Sequence, residues 1–281
     1  MYPIITKEEL APQVKLMKVK APAIAKKALA GQFVIFRIHE EGERIPLTLA
    51  DWDAQAGTVT LIFQEVGKST DHLGSLKVGD VLQDLIGPLG IASEIENFGT
   101  VACIGGGIGT APVYPIARAL KQAGNRVISI IGARSKNLLI WEDMMRAQSH
   151  ELFVTTDDGS YGRHGFVTNQ LLALIDNGTK IDLCLAIGPP VMMKAVCEVT
   201  APHKIPTRVS LDSIMVDGTG MCGACRVTVG GKTRFVCVDG PEFDGHQVDF
   251  NEYLARKRIY LPEERRARDA FRETCCKGGK A

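Results

Sequence analysis

A chain of 281 residues, 45% hydrophobic and 23% charged, has room for two domains or three small ones and enough apolar material for a buried core. A net charge of +1 supplies no global field for nucleic acid or a membrane surface, and no apolar run approaches the roughly 18 residues of a bilayer span. The N-terminal MYPIITKEEL lacks the apolar stretch of an export signal, so a cytoplasmic location is expected, and eight cysteines that cluster instead of spreading argue against a disulfide framework.

Residues 1–97 read as β-rich. VKLMKV, QFVIFRIH, PLTLADW, TVTLIFQEV and DVLQDLIG are short alternating or apolar runs separated by Gly, Pro and charged clusters. That pattern predicts a small antiparallel barrel. KSTDHLGSL is its one helical candidate, with Ser69 or Thr70 as N-cap. Arg44 offers a forked donor suited to a pyrophosphate, Thr48 a hydroxyl, and Gly67-Lys68-Ser69-Thr70 backbone donors at a helix start. Each is also an ordinary surface feature.

Residues 98–207 alternate strand and helix, which predicts a parallel sheet with helices on its faces. TVACIGGGIGTAPVYPIARALKQAG is a buried strand, a glycine turn and an amphipathic helix. This is the setting in which a helix N-terminus receives a nucleotide pyrophosphate. Gly105 and Gly107 fit the dinucleotide fingerprint, but Thr110 stands in its third place. No acid follows about 20 residues on to hold a ribose. Arg134 and Lys136 stand there instead and would suit a 2′-phosphate. A merely structural turn is the competing reading. Asp157 and Asp158, before Gly159, also read as turn residues.

Residues 208–245 are Gly-rich and carry Asp217-x4-Cys222-x2-Cys225-x11-Cys237. A plant-type 2Fe–2S loop spaces its ligands C-x4-C-x2-C…C, and here an aspartate holds the first place. Gly218, Gly220, Gly223 and Ala224 are small enough for the backbone to wrap a cluster. Alternatives are a zinc site with three sulfurs and one oxygen, a four-iron cluster, or no metal. RVTV and KTRFVC flank a Gly-Gly hairpin turn. Residues 246–281 form a tail whose LPEERRARDAFRETCC is helical, with Pro262 in its first turn. Its Arg265, Arg266, Arg268 and Arg272 are a partner surface or a solvated face. Cys103, Cys184 and Cys197 lie in apolar segments and are expected to be buried. The vicinal Cys275 and Cys276 are incidental, metal-binding or redox-active.

The order of these motifs (R-x-P-L-T, GPLG, GGGIGTAP, GARSK, TTDDGSYG, GPPVMM, then the cysteines) resembles the ferredoxin–NADP reductase superfamily over essentially the whole chain. It is most similar to the branch of the dihydroorotate dehydrogenase electron-transfer subunit. Within that branch it resembles the small subunits of NADH-dependent ferredoxin:NADP oxidoreductase, known as Nfn.

The resemblance implies an FAD-binding β-barrel, an NAD(P)-binding α/β domain and a small iron–sulfur loop domain. Arg44, Pro46, Leu47 and Thr48, with Ile62 and Gln64, would line FAD, and Gly67, Ser69 and Thr70 would hold its pyrophosphate. The family's Arg-x-aromatic-Ser string is altered, with Leu47 in the aromatic place and Arg44 one residue early. Gly105, Gly106, Gly107, Gly109 and Thr110 would face the nicotinamide nucleotide, with Arg134, Asp157, Gly188, Pro189 and Met192. One aspartate and three cysteines hold the cluster in those small subunits, which implies Asp217, Cys222, Cys225 and Cys237 as ligands. The dihydroorotate branch uses four cysteines. The implied cofactors are FAD, a 2Fe–2S cluster and NAD(H) in preference to NADP(H). The implied partners are a large flavin and iron–sulfur subunit and, through it, ferredoxin. The implied activity is electron exchange among these groups in an electron-bifurcating complex, with no acid–base residue required. Rival readings are a subunit of sulfide/polysulfide or dihydroorotate dehydrogenase, and a cluster-based redox sensor.

Overall fold

The protein is described from a computed structural model covering residues 1–278, with side chains to Thr274. The side chains of Cys275 and Cys276 lie outside the described residues. The first unit is a curled sheet of β1 (Tyr2–Ala11), β2 (Val14–Lys20), β3 (Phe33–Arg37), β4 (Ile45–Asp53), β5 (Thr58–Gln64), β6 (Val81–Leu82) and β7 (Asp84–Leu89), with the short helices α1 (Pro22–Ala25) and α2 (Lys68–Ser75). The strand order is β6-β1-β2-β5-β4-β3-β7, with every pairing antiparallel. The two edge strands are consecutive in the chain, so the sheet nearly closes on itself, as the many short strands predict. β1 was not foreseen. Its charged KEE segment masks the alternation, yet Ile4 and Ala11 are buried.

Gly67, not Ser69 or Thr70, is the N-cap of α2. Thr70 sits one turn in, and its Oγ1 accepts from the Val66 and Gly67 N–H groups at 3.0 Å each. A hydroxyl can cap from inside the first turn as well as from its edge.

The second unit is a sheet ordered β11-β10-β9-β8-β12-β13-β16. Its strands are β8 (Thr100–Gly106), β9 (Arg126–Ala133), β10 (Glu151–Thr156), β11 (Arg163–His164), β12 (Leu183–Ile187) and β13 (Thr207–Ser210), all parallel. Helices α3 (Thr110–Gln122), α4 (Glu142–Gln148), α5 (Val167–Asp176) and α6 (Pro190–Thr200) connect them. Six of seven residues of β8 and seven of eight of β9 are buried, which is why they read as near-continuous apolar runs. The chain leaves β8 toward β9 on one side and returns to β12 on the other. The carboxyl ends of β8 and β12 therefore frame a topological switch point, where open α/β sheets bind ligands.

The remaining segment is stitched to this sheet. β14 (Arg226–Val229) and β15 (Lys232–Phe235) form the expected hairpin. Gly230 and Gly231, at φ +57° and +71°, supply the two left-handed residues of a type I′ turn. A turn of helix, α7 (Val236–Asp239), leads to β16 (Glu242–Asp244), which pairs antiparallel with β13. The expected boundary at 207/208 thus falls within β13, and the cysteine loop is an excursion between two neighbouring strands. α8 (Phe250–Lys257) and α9 (Leu261–Gly278) end the described chain. Among the described residues no helix is long and apolar enough to cross a membrane.

α3 locks the two units together. Arg118 pairs with Asp51 of β4 at 2.8 Å, and its guanidinium lies over the rings of Trp52 and Tyr114 at 5.4 and 5.2 Å. A cation stacked between two aromatic faces and ion-paired beneath fixes the angle between barrel and sheet.

Candidate active site

A cleft of ≈ 770 Å³ opens between the barrel and the switch point of the parallel sheet. From the barrel, Pro46, Leu47, Thr48, Ile62 and Gln64 line it. β4 and β5 carry these residues side by side, since Leu49 faces Leu61 across the ladder. From the sheet come Gly106, Gly107 and Gly109, then Arg134 and Asp157, then Gly188, Pro189 and Met192. Residues far apart in sequence therefore meet in one space.

The glycines are there for contact. Gly107 takes φ +56°, and a Cβ on it would meet no protein atom within 4 Å, so its backbone faces open cleft. Gly188 lies where a Cβ would come within 2.9 Å of Met192 Cε and 3.1 Å of Gly106 Cα. Gly106, Gly188 and Met192 thus pack as one floor. Gly105 and Thr110 lie beneath it, both buried, with a Cβ on Gly105 reaching 2.8 Å from Thr110 Cα. α3 starts at Thr110 with no side chain capping its N-terminus, which leaves amide donors for an anion at the glycine turn.

Gly67, Ser69 and Thr70 do not line the cleft and stand at the start of α2. A Cβ on Gly67 would meet nothing within 4 Å. The Ser69 hydroxyl donates to the Glu43 carboxylate, so this helix start already meets one anionic group. Arg44, next to Glu43, is exposed outside the cleft. Asp158 is a turn residue, its Oδ1 accepting the Ser160 N–H at 2.9 Å, whereas Asp157 faces the cleft. The Lys136 ammonium lies over the Tyr161 ring at 4.9 Å.

The sequence reading missed three contributions. Phe33, paired with Thr48 across β3 and β4, lines the cleft. Ser210, Leu211, Asp212 and Met215, just beyond β13, close one wall. The alternation in RVSLDSIM was the available signal for them. Thr155 is fully buried in the lining, and its Oγ1 is the one buried side-chain polar atom without a hydrogen-bond partner among the described residues. A buried hydroxyl without a partner is rare and costly, which marks this position for a test.

The four candidate metal ligands fall into two pairs. Cys225 and Cys237 are buried with Sγ atoms 3.2 Å apart. Burial, and then the neighbouring Cys225, push the Cys237 thiol up to about 12. Two such thiolates are stable together only beside a cation. Asp217, half-buried, and Cys222, exposed, form the second pair. Asp217 Oδ2 accepts the Cys222 N–H at 2.9 Å and its Oδ1 the Thr219 N–H at 2.8 Å. These backbone donors, Thr219 first, hold its carboxyl below the usual range. Among the described residues no three His, Cys, Asp or Glu side chains converge as on a single ion. Two pairs, three candidates on the loop and Cys237 on α7, suit a binuclear cluster better than one tetrahedral zinc. Gly218, at φ +76°, lies where a Cβ would come 2.6 Å from Ile35 Cδ1 and 2.8 Å from Leu89 Cδ1, so the loop packs directly on the barrel. Cys103, Cys184 and Cys197 are buried free thiols, and burial raises each thiol.

The tail arginines are partly committed. Arg268 donates to both Asp71 oxygens at 2.9 and 3.2 Å and to Glu65 O at 2.7 Å. Arg272 donates to Asp71 Oδ2 at 2.6 Å. α9 is thereby docked on α2, and these two arginines are not free for a partner.

Residues 103–198 match the oxidoreductase NAD-binding domain, and residues 212–249 match the iron–sulfur cluster binding domain of dihydroorotate dehydrogenase B. An electron transfer subunit homolog of dihydroorotate dehydrogenase B (NAD(+)) from Thermotoga maritima is 47% identical, over 96% of this chain and 95% of the relative. An uncharacterized Clostridium beijerinckii protein, encoded in the adh 3′ region, is 48% identical over 95% and 93%. A solved chain of the NADH-dependent reduced ferredoxin–NADP oxidoreductase, described for flavin-based electron bifurcation, is 45% identical and superposes with a TM-score of 0.92 over 96% of this chain and 98% of that one. With a fold, a cleft and a cysteine loop that agree throughout, the chain belongs to the family of dihydroorotate dehydrogenase B electron-transfer subunits and their homologues.

Proposed function

We propose that this protein is the electron-transfer subunit of an electron-bifurcating NADH-dependent ferredoxin:NADP oxidoreductase, exchanging electrons among NAD(H), FAD and a 2Fe–2S cluster. The observation that carries the reading is the single cleft in which barrel residues 46–48 meet the glycine floor at the switch point, with the cysteine loop packed on the same barrel. The full-length likeness to the bifurcating oxidoreductase chain supports it. A larger partner subunit goes with this family. That the partner carries further flavin and iron–sulfur groups and reaches ferredoxin belongs to the proposal, as does a cytoplasmic setting, which suits the free thiols.

The residues fit the implied groups. Pro46, Leu47, Thr48, Ile62 and Gln64 offer an apolar wall with hydrogen-bonding edges for a flavin ring. The start of α2 offers donors for its pyrophosphate. Asp217, Cys222, Cys225 and Cys237 offer the oxygen and sulfurs for a cluster. When bound, FAD supplies the conversion between two-electron and one-electron transfer, and the cluster supplies a one-electron carrier.

The chain's own part is positioning. The floor of Gly106, Gly188 and Met192 lets a nicotinamide nucleotide lie close to the sheet edge, and the amides at the start of α3 take its pyrophosphate. Arg118 holds barrel and sheet at a fixed angle, which would position a flavin held on the barrel wall relative to a nicotinamide held at the glycine floor. The apolar lining excludes water from the hydride path. Beside the cluster loop Met221 is 87% exposed, with Val216 and Val238 also exposed, and this face is the exit toward a partner. Asp217, in the place where the dihydroorotate branch has a fourth cysteine, favours the ferredoxin-linked reading.

Anaerobic stopped-flow mixing of the flavin-loaded protein with NADH and with NADPH tests this. Rapid bleaching of the flavin by NADH, followed by reduction of the cluster, is expected. No bleaching by either nucleotide would leave only a sensor, and faster bleaching by NADPH would overturn the choice of NAD(H).

A further inference from the structure

Between Cys222 and Cys225 the chain has two inner carbonyls, and each accepts from a guanidinium. Arg226 Nη1, at the start of β14, donates to Gly223 O at 3.1 Å. Arg256 Nη2, in the last turn of α8, donates to Ala224 O at 3.2 Å. α8 is itself firmly seated. Tyr253 is 1% exposed. Its hydroxyl donates to Asp212 Oδ1 at 2.5 Å and accepts the Asp212 N–H at 2.9 Å. Lys257 Nζ donates to Asp212 O at 3.2 Å. The helix thus ties the wall of the cleft, through Asp212, to the cysteine loop, through Ala224.

A trans peptide points its C=O and its N–H in opposite directions, and neither peptide here is cis. Holding the Gly223 and Ala224 carbonyls against arginines therefore turns the Ala224 and Cys225 N–H groups to the other side of the segment. No acceptor among the described residues takes either N–H. Unpaired amides on a loop that carries thiolates find their acceptors in cluster sulfur. Amide donors and cations near a cluster stabilise its reduced, more negative form and raise its potential.

We infer that Arg256, with the more exposed Arg226 in a lesser role, is a positioning residue for the iron–sulfur loop: it aims the Ala224 and Cys225 amides at the cluster and sets the cluster's potential. The inference rests on the cluster reading above. It also gives α8 a function, coupling the cleft wall to the electron carrier through one rigid element.

The test is an EPR-monitored redox titration of the full chain with FAD and cluster reconstituted, with iron and sulfide assayed in parallel. R256Q is expected to lower the midpoint potential and shift the g-values, R226Q to do so less, and R256K to restore most of both. If R256Q sheds iron, recovery of iron and potential together in R256K supports the assignment, and an R256K protein no better than R256Q overturns it. Unaltered potential and g-values in an iron-replete R256Q overturn it as well. A wild-type chain that takes up no iron or sulfide would sink the cluster reading and this inference with it. That result is distinct from a normal wild-type cluster with unaltered variants, which sinks the inference alone.

Discussion

The cleft and the cysteine loop are built on opposite principles. The cleft is made by backbone: glycines at the ends of buried parallel strands, two helix starts, and a barrel wall clamped by Arg118. Its shape follows from packing, so it exists before any ligand arrives. The loop is made by ligands. It has no ladder of its own between Met215 and Cys225, several glycines at positive φ, and one close sulfur pair. A rigid scaffold specifies a site through its core. A wrapped loop specifies one through the ion it encloses, and metal binding there is part of folding.

Substitution should therefore act differently in the two places. Cys237→Ala removes a buried member of the close pair, and the chain is expected to retain essentially no cluster iron while its flavin spectrum and NADH bleaching persist. An iron assay beside stopped-flow absorbance reads both. If bleaching vanished with the iron, the two sites would be one cooperative unit and the contrast would fall. Asp217 makes a finer cut. Asp217→Ala should lose occupancy or alter the EPR signal, and Asp217→Cys should keep iron and shift the potential. An unchanged signal in both variants would reduce Asp217 to the Asx turn it makes with Thr219.

On the cleft side, Gly109→Ala sets a Cβ 2.8 Å from Gly188 Cα and against the Ile187 carbonyl. Backbone cannot yield as a side chain does, so an overpacking cost of about 1–3 kcal/mol is expected. Urea titration should show it, with nucleotide affinity reduced and cluster content untouched.

How far the sequence disclosed each region follows the same division. Strands β8 and β9, the glycine turn, the Gly-Gly hairpin and the cysteine spacing were legible because periodicity and turn chemistry are local. The family resemblance implied Pro46, Leu47, Thr48, Ile62 and Gln64 as flavin-lining residues, and the fold brings these five together in one cleft. Arg44, implied by the same resemblance and by its forked donor, is exposed outside the cleft. Phe33 and Thr155 were invisible as site residues, because each matters only through neighbours distant in sequence. The segment holding β16 read as a separate loop domain, since a three-residue edge strand carries too few residues to show a period.

The docking of α9 was equally hidden, because nothing in RRARDAFR marks Asp71 as its partner. Burial alone would push the Asp71 carboxyl up, but the guanidinium groups of Arg268 and Arg272 hold it below the usual range. A depressed folded value means that its stabilisation is complete above the unfolded value of about 3.9 and is lost as pH falls through the folded one. Hydrogen-exchange protection of α9, taken relative to the intrinsic rate at each pH, should be constant from neutral pH to about 5 and should fall below about 4. At neutral pH Arg268→Ala should cost about 1.5–3 kcal/mol, the worth of hydrogen bonds to a charged group. Protection that stays constant at every pH would mean that apolar contacts such as Phe271 on His72, with ring centroids 5.3 Å apart, hold the helix instead.

The smallest expected effect is the most diagnostic of a preformed cleft. Thr155→Val keeps the shape and removes the unpaired hydroxyl. A buried polar group with no partner is destabilising, so the ligand-free protein should gain about 1 kcal/mol in urea titration. If the hydroxyl serves the nucleotide, affinity for NADH should fall by about tenfold, equivalent to about 1.4 kcal/mol. Opposite signs for stability and affinity in one variant cannot come from a repacked core, which would move both the same way. A variant that is less stable, or that binds NADH as tightly as before, would show that Thr155 satisfies its hydroxyl within the protein and that the cleft is not waiting for a ligand at this point.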